Sequence, residues 1–423
     1  MAKSIENKDV SLLRLVEERA LTKKIEEEKR KQQVIVVPYV PKDCVTNILL
    51  RLPLDSLQKS MFVCKPWYDI INSTKFIDAH LRRSETVLIF LSSIKKERLF
   101  PSSPPSCPPE KPNCISVESK LVQSKSVTLF EQSVVDYSSF SVHFLEFNGG
   151  KSKIVEYNLR CGGDIRATCN GLILLDNKMK KGGLIVMNPV TRKLSALPLG
   201  TLYPPHKESY GLALSSVTGE YKVVHLFQDV MGYVSCEILN LGTRFWREID
   251  GPSFGLFGWF GYSPVSAIGA LHWIPQIDQS DYVVSMEVDK EKFHQVPLPK
   301  SCKTADRIVE VGGLLGFVTH REEVCQIDIW ILNNLFGEVW TKHHSITVGC
   351  ILDMVPLFSL RIKGDMIFKR DEDGSFYIYD FQLGTMTKVE MVEGCAPLSA
   401  SYLPHINSLV SWCSRVGTQN MQD

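Results

Sequence analysis

The chain holds 423 residues, 44% of them apolar and 22% charged, which is more than one ordinary core accommodates, so at least two structural units are expected. Lys plus Arg (48) and Asp plus Glu (47) nearly cancel, and a net charge of +1 speaks against a polyanion binder, so no nucleic-acid partner is expected. No apolar run reaches the roughly 18 residues of a membrane span, and Ser11–Val16 is too short and too interrupted by Arg14 to be a secretory core, so no membrane association is expected either.

The 12 Cys form no C-x-x-C pair and lie scattered among apolar stretches, as buried free thiols do. This pattern predicts a reducing compartment, cytoplasmic and/or nuclear.

In chain order, residues 1–37 form a charged extension. Its first 33 residues carry 9 Lys/Arg and 7 Asp/Glu around a thin stripe of Leu12, Leu13, Leu15, Val16, Leu21 and Ile25. It reads as a solvated helix or a disordered segment, with a partner-binding helix as the alternative.

Residues 38–83 read as a compact unit of three helices. Val45, Ile48, Leu49 and Leu52 recur at helical spacing after Pro41, and Pro53 ends that helix because proline has no N–H and restricts its predecessor. Asp55 is placed to cap a second helix with Leu57, Met61 and Cys64 facing inward. Pro66 is placed to start a third, carrying Trp67, Ile70 and Ile71, with Phe76 and Leu81 closing the unit. A unit this short buries little apolar surface, yet it is dense in Leu, Ile, Val, Phe and Trp. Its surplus must dock on the rest of the chain or on another protein.

Residues 84–119 read as a connection, with six prolines between 101 and 112. From 120 to 415 the texture is β, with short apolar runs and frequent turn residues. One strand type repeats as 171–175, 222–227, 269–274, 313–318, 364–369 and 407–412, with starts 51, 47, 44, 51 and 43 residues apart. After each of the first five comes a strand, a polar turn and another strand. A repeat of about 48 residues, built from an inner strand and an outer hairpin, is the signature of a propeller blade, and six are counted. The sixth lacks its hairpin, so N-terminal strands, with Ser126–Phe130 and His143–Phe147 as candidates, are expected to close the ring. Residues 416–423 form a tail.

No nucleophile–base pair, phosphate loop or zinc motif appears. Adjacent His343 and His344 on a strand should point to opposite faces. His225 and His272 fall within apolar strands and read as hydrogen-bonded core histidines. Trp246, Trp273 and Trp340 recur within the repeats and read as inter-blade packing. The one unusual loop is Gly251–Pro264, which presents Phe254, Phe257, Trp259, Phe260 and Tyr262 among glycines. These five are the candidate substrate-binding residues, with packing between blades as the alternative. Tyr203–His206 is a second candidate.

Pro41, Asp43, Ile48–Leu49, Arg51–Leu52–Pro53, Ser56–Leu57, Val63–Cys64–Lys65, Trp67 and Phe76…His80–Leu81 together resemble an F-box. Cys169–Asn170–Gly171–Leu172, Asn188–Pro189–Val190–Thr191, Tyr210–Gly211–Leu212, Ser216–Val224, Gly269–Trp273, Trp340–Thr341–Lys342 and Ser408–Leu409–Val410 resemble the F-box-associated, kelch-like propeller of plant F-box proteins. The fold class is therefore multidomain α+β: a small three-helix F-box followed by an all-β, kelch-like propeller.

The resemblance implies a non-catalytic subunit of an SCF-type ubiquitin ligase. Its F-box would dock on a Skp-type adaptor, and through it on cullin and RING subunits, while the propeller captures an unknown protein client. It places adaptor-binding anchors among Pro41, Ile48, Leu49, Leu52, Pro53, Leu57, Val63 and Trp67, part of this set, Trp67 foremost, being core instead. No catalytic residue, metal or cofactor is implied. A kelch-type propeller enzyme and a non-degradative, adaptor-bound scaffold are the alternatives.

Overall fold

A computed structural model describes residues 18–24, 40–93, 140–148, 150–161, 163–177, 182–202, 208–228, 231, 233–253, 263–274, 280–300, 306–337, 339–347, 353–391 and 402–412. The chain divides into two compact units, 1–53 and 54–423. No helix among the described residues is long and apolar enough to cross a membrane.

The first unit is helical at 18–24 and again in α1 (Lys42–Leu49). Pro41 stands at the N-cap of α1, where its missing N–H costs nothing, and Asp43 lies in the first turn against the positive end of the helix. The chain then tightens: Leu50, Arg51 and Leu52 donate to Thr46, Ile48 and Leu49, and Pro53 stops further winding.

The second unit opens with α2 (Leu54–Ser60), α3 (Lys65–Ile71) and α4 (Thr74–Arg83). Four helices thus occupy the stretch read as three, and five occur among the described residues. The extra break has a local cause. Ser73 accepts from Phe76 N at 3.3 Å and donates to Ile70 O at 2.7 Å, capping a new helix where α3 ends. Its last turn holds His80, Arg82 and Arg83, which suit the negative end.

β1 (Thr86–Ser93), β2 (Phe140–Asn148) and β3 (Lys151–Cys161) follow. Five regular blades come next. Blade one has β4 (Ile165–Cys169), β5 (Leu172–Asn177), β6 (Gly183–Asn188) and β7 (Lys193–Ala196). Blade two has β8 (Glu208–Leu214), β9 (Tyr221–Gln228), β10 (Val234–Asn240) and β11 (Trp246–Ile249). Blade three has β12 (Val265–Ala267), β13 (Ala270–Trp273), β14 (Tyr282–Glu287) and β15 (Lys292–Pro297). Blade four has β16 (Arg307–Val311), β17 (Leu314–Arg321), β18 (Gln326–Leu332) and β19 (Trp340–Thr347). Blade five has β20 (Met354–Ser359), β21 (Met366–Arg370), β22 (Phe376–Asp380) and β23 (Thr385–Lys388), and β24 (Tyr402–Ile406) comes last. The sixth blade has the order β24-β1-β2-β3.

The six-bladed ring is therefore closed by both ends of the β region. β24 pairs antiparallel with β1, Leu403 opposite Ile89, and β1 pairs with β2, Phe144 opposite Ile89. His143–Phe147 does belong to the closing blade, within β2, whereas Ser126–Phe130 lies outside the described residues. Of the blade's other N-terminal strands, β3 follows β2 directly, and β1 comes from the 84–119 stretch read as connection.

The repeat was also displaced by one strand. Around the ring, β4 contacts β8 and β24, and β16 contacts β12 and β20, so the first strand of each blade is the inner one. The recurring apolar runs at 171–175, 222–227, 269–274, 313–318 and 364–369 are second strands. These are flanked by strands on both sides and sandwiched between neighbouring blades, hence their unbroken hydrophobicity. Four of these runs open on a glycine because the preceding tight turn demands positive φ: Gly171, Gly269, Gly313 and Gly364 lie at 92°, 75°, 88° and 81°. The sixth run, 407–412, is not a strand, since β1 already holds its place.

Six apolar clusters fill the six gaps between blades. Leu174, Val186, Leu212 and Val223 join the first and second, and Leu226, Ile238, Leu271 and Met286 the second and third. Val283, Leu315 and Phe317 serve the next gap, then Val318, Ile329, Met354 and Phe368. Leu88, Phe147, Phe358 and Phe376 join the fifth blade to the closing one, and Ile89, Phe144, Ile173 and Met187 join that to the first.

All three tryptophans singled out in the repeats touch these gaps. Trp246 and Trp340 hold equivalent places, donating to Pro198 O at 2.9 Å and Pro297 O at 2.7 Å of the preceding blade, and Trp273 donates to Ser209 Oγ at 3.0 Å.

The tail after β24 is tied down by Asn188, which is fully buried. Its amide donates to Ser408 O at 3.1 Å and Val410 O at 2.8 Å, while its carbonyl accepts from Val190 N and Thr191 N. Removing residues 402–423 strips the inner strand from the closing blade and uncovers two apolar clusters, so the melting temperature of the whole propeller should fall; an unchanged thermal melt contradicts this closure. Asn188→Ala in the full chain should cost about 2–3 kcal/mol in denaturant unfolding, because it orphans several buried backbone groups.

Candidate protein-interaction surfaces

The apolar residues of the helices sort cleanly by exposure. In the first unit Ile48 is 56% exposed, Pro41 and Pro53 are exposed, Leu52 is half-buried and Leu49 is fully buried. Ile48 and Leu49 are sequence neighbours, about 100° apart around a helix of 3.6 residues per turn, so both cannot face outward.

In the second unit Leu57 is fully buried and Trp67 half-buried, while Val63 is 62% exposed. Leu49 and Leu57 are thus buried, unlike Ile48 and Val63.

The sequence reading passed over the most exposed of these groups, Phe62, at 89%. The chain after α2 is wound into a tight turn, with Met61, Phe62 and Val63 donating to Leu57, Lys59 and Ser60, and this lifts Phe62 and Val63 clear of the helices. Phe62 borders an open hollow lined by Asp55, Gln58 and Lys59. Tyr68 on α3 is also half exposed. A Phe and a Val side by side in a turn after a polar Gln–Lys–Ser run was the available signal.

The propeller has two unlike ends. In each blade the first-to-second and third-to-fourth strand turns share one end, and the remaining connections share the other. The first end is where α4 enters β1, and it meets α2–α4: Gln58 Nε2 donates to Val190 O at 2.5 Å, and Arg361 Nη1 to Leu81 O at 3.2 Å. The far end carries the connection from β11 to β12.

Phe254, Phe257, Trp259, Phe260 and Tyr262 fall between β11 and β12 in the sequence and lie outside the described residues, as does 203–206. The flanks of the aromatic connection are placed. Gly251 lies so close to Val234 O that any Cβ would clash, and Ser263 Oγ donates to Arg166 O at 3.3 Å. The connection thus starts on the outer part of the second blade and ends beside the inner strand of the first.

Beneath that end lies a buried ionic cluster. His225 Nδ1 is 2.8 Å from Glu237 Oε1 and Nε2 is 3.2 Å from Glu208 Oε2. Glu208 also meets Arg166 at 3.5 Å and the Tyr210 hydroxyl at 3.3 Å, and Arg166 pairs with Asp176 at 2.6 Å. Glu237 accepts from Thr201 N and Oγ.

The expectation of a hydrogen-bonded core histidine thus understated His225, which bridges two carboxylates from β8 and β10. Burial opposes its charge, but the bonds to Glu208 and Glu237 and their charges prevail and raise its pKa above the ordinary 6.5. Burial likewise opposes ionisation of Glu237, yet its bonds with His225 and Thr201 lower its pKa. His272 is the opposite case. Burial drives its pKa down to about 4, and it sits neutral between Ser285 Oγ and Ala267 O.

His343 and His344 do not diverge as a regular strand would require. A bulge in the β18–β19 register leaves His343 unmatched, and both rings turn edge-on to Phe381, at 5.4 and 5.0 Å.

The described residues thus comprise N-terminal helices with a bare apolar turn and a closed six-bladed propeller. Residues 40–78 match the F-box domain model, and residues 122–407 match the model of the F-box associated beta propeller domain. The chain belongs to the F-box proteins that carry this propeller, a plant group by its relatives.

F-box protein CPR1 of Arabidopsis thaliana is 25% identical over 417 residues, covering 88% of this chain and 89% of that protein. Putative F-box protein At4g17780 of Arabidopsis thaliana is 23% identical over 340 residues, covering 76% and 73%. Among solved structures, TolB from Acinetobacter baumannii aligns with a TM-score of 0.41 at 12% identity, covering 63% of this chain and 62% of that one.

The raised pKa of His225 means its ion pairs stabilise fully below pH 6.5 and fade as pH rises through its folded value. The lowered pKa of Glu237 means its share is lost as pH falls below about 4.5. His225→Gln should therefore cost most between those limits, about 3 kcal/mol. The gap to wild type in urea unfolding should narrow above neutrality; a gap independent of pH excludes an imidazolium at this site.

Proposed function

We propose that this protein is the substrate-recognition subunit of an SCF-type ubiquitin ligase. The F-box implies a Skp-type adaptor as one partner, and the propeller implies a protein client as the other. Cullin and RING subunits complete the assembly through the adaptor, and the bond-making chemistry resides with them, so the chain acts by binding. The blades are of kelch-like type, and the client meets the far end of the ring, where β11 ends and β12 begins. Free thiols at Cys44, Cys64, Cys169, Cys236 and Cys325 fit work in the cytoplasm or nucleus.

The observation that carries this reading is the pair Phe62 and Val63, bare apolar side chains raised on a turn within the F-box match. Exposed aromatics of this kind are anchors when a partner covers them. Ile48 on α1 is a further anchor. The fully buried Leu49 and Leu57 are not.

The test separates the two roles. Phe62→Ala with Val63→Ala should weaken capture of a recombinant Skp-type adaptor at least tenfold, consistent with about 2 kcal/mol for a true anchor, and leave the thermal melt unchanged. Leu57→Ala should instead lower the melting temperature, at about 2–5 kcal/mol for a buried leucine. Undiminished adaptor capture by the double variant removes the basis of the proposal. Accumulation of captured proteins when the adaptor contact is broken, in cells with the proteasome active, would identify clients destined for degradation. Capture without accumulation favours a non-degradative scaffold.

A further inference from the structure

The helices α2–α4 are fastened to the ring at three separated places. Glu85, two residues past α4, accepts from Thr86 N at 2.9 Å at the start of β1. The same carboxylate accepts from Arg361 N at 2.5 Å and Ile362 N at 3.2 Å, in the first turn of the fifth blade. Arg361 completes the loop by donating to Leu81 O, a last-turn carbonyl of α4 that also accepts from Ser84 N at 3.2 Å.

The second fastening is Gln58 of α2 to Val190 O of the first blade, whose own N–H is held by Asn188. The third is apolar. Ile77 and Leu81 of α4 pack on the cluster between the first and second blades, together with Val410 and Trp412 of the tail.

Fastenings on the first and fifth blades flank the closing blade, into which α4 runs directly. A single attachment would leave a hinge at Ser84; three that are not collinear remove it. The bonds at Glu85 are charge-assisted and converge on one carboxylate, so they are the strongest of the set.

We propose that Glu85 and Arg361 are positioning residues for ubiquitin transfer: they set the angle between the adaptor-side helices and the ring, and so fix which lysines at the ring meet the ligase's active partner. This rests on the receptor reading given above. In the transfer, a lysine amine attacks the thioester that joins ubiquitin to a conjugating enzyme. An isopeptide bond forms, the carbon–sulfur bond breaks, the enzyme's thiol leaves and the amine gives up a proton. The rate at any one lysine depends on how often that amine reaches the thioester, which a fixed mount raises for a few sites and lowers for the rest.

The chain's own exposed lysines serve as acceptors, Lys151, Lys193, Lys292, Lys342 and Lys388 among them. The full chain is assembled with a Skp-type adaptor, cullin, RING subunit, conjugating enzyme and ubiquitin, and the modified lysines are quantified by mass spectrometry. Wild type should modify a reproducible subset. Glu85→Ala with Arg361→Ala should bind the adaptor equally and melt as one domain, yet lose roughly tenfold in preference for that subset as modification spreads to other lysines.

Gln58→Ala, which removes a different fastening, should spread the pattern in the same direction. The same lysine pattern and rate in all variants would overturn the proposal. Failure of wild type to capture the adaptor at all would overturn the receptor reading, and the proposal with it.

Discussion

The pairing of β24 with β1 is the interaction on which the ring depends. Every other blade is a continuous stretch of chain, whose strands find one another through short turns. The closing blade alone joins the end of the β region to its beginning, across more than three hundred residues, and the loop-closure entropy of that contact is the largest in the molecule. What offsets it is the pair of apolar clusters on either side of the closing blade, with Phe144, Ile89, Leu88 and Phe147 at their centres. Closure also packs every blade against a neighbour on both sides, so six marginal sheets become one cooperative body.

A second consequence of closure is that the two ends of the ring acquire different characters. Short turns lie at the end where the adaptor-side helices attach, and the remaining connections lie at the other. The helices take hold of the short-turn end through Gln58, Glu85 and Arg361, partners whose geometry is reliable because tight turns hold their backbone still. Toward the opposite end lies a layer of ionisable groups in which buried His225 links two glutamates. Such a network is costly to bury and stable only when complete, and here every carboxylate oxygen of Glu237 and Glu208 has a partner.

Much of this was legible in the chain. The second strands announced themselves as apolar runs with a leading glycine, because burial on both faces leaves little room for polar side chains and the turn before them needs positive φ. The blade count followed from their spacing. Their rank within the blade did not, since inner strands such as Ile165–Cys169 and Arg307–Val311 carry mixed side chains that resemble loops. β1 was missed for another reason: it stands between a helix and a proline-rich stretch, and only pairing with β24 and β2 reveals it as part of the ring. Among the helices, periodicity marked the apolar positions but not their direction, so Leu49 and Leu57 were grouped with Ile48 and Val63.

By itself, the sequence determined the class of each module, the number of blades and the identity of the motif residues, because these follow from local preference and from periodic burial. Tertiary structure decided which strand is innermost, which segment closes the ring, that Phe62 is bare while Leu57 is sealed, and that His225 meets two carboxylates at once. Each of these is a contact between residues distant along the chain, or a direction in space, and neither is encoded by spacing. They exist only once the blades have been packed against one another.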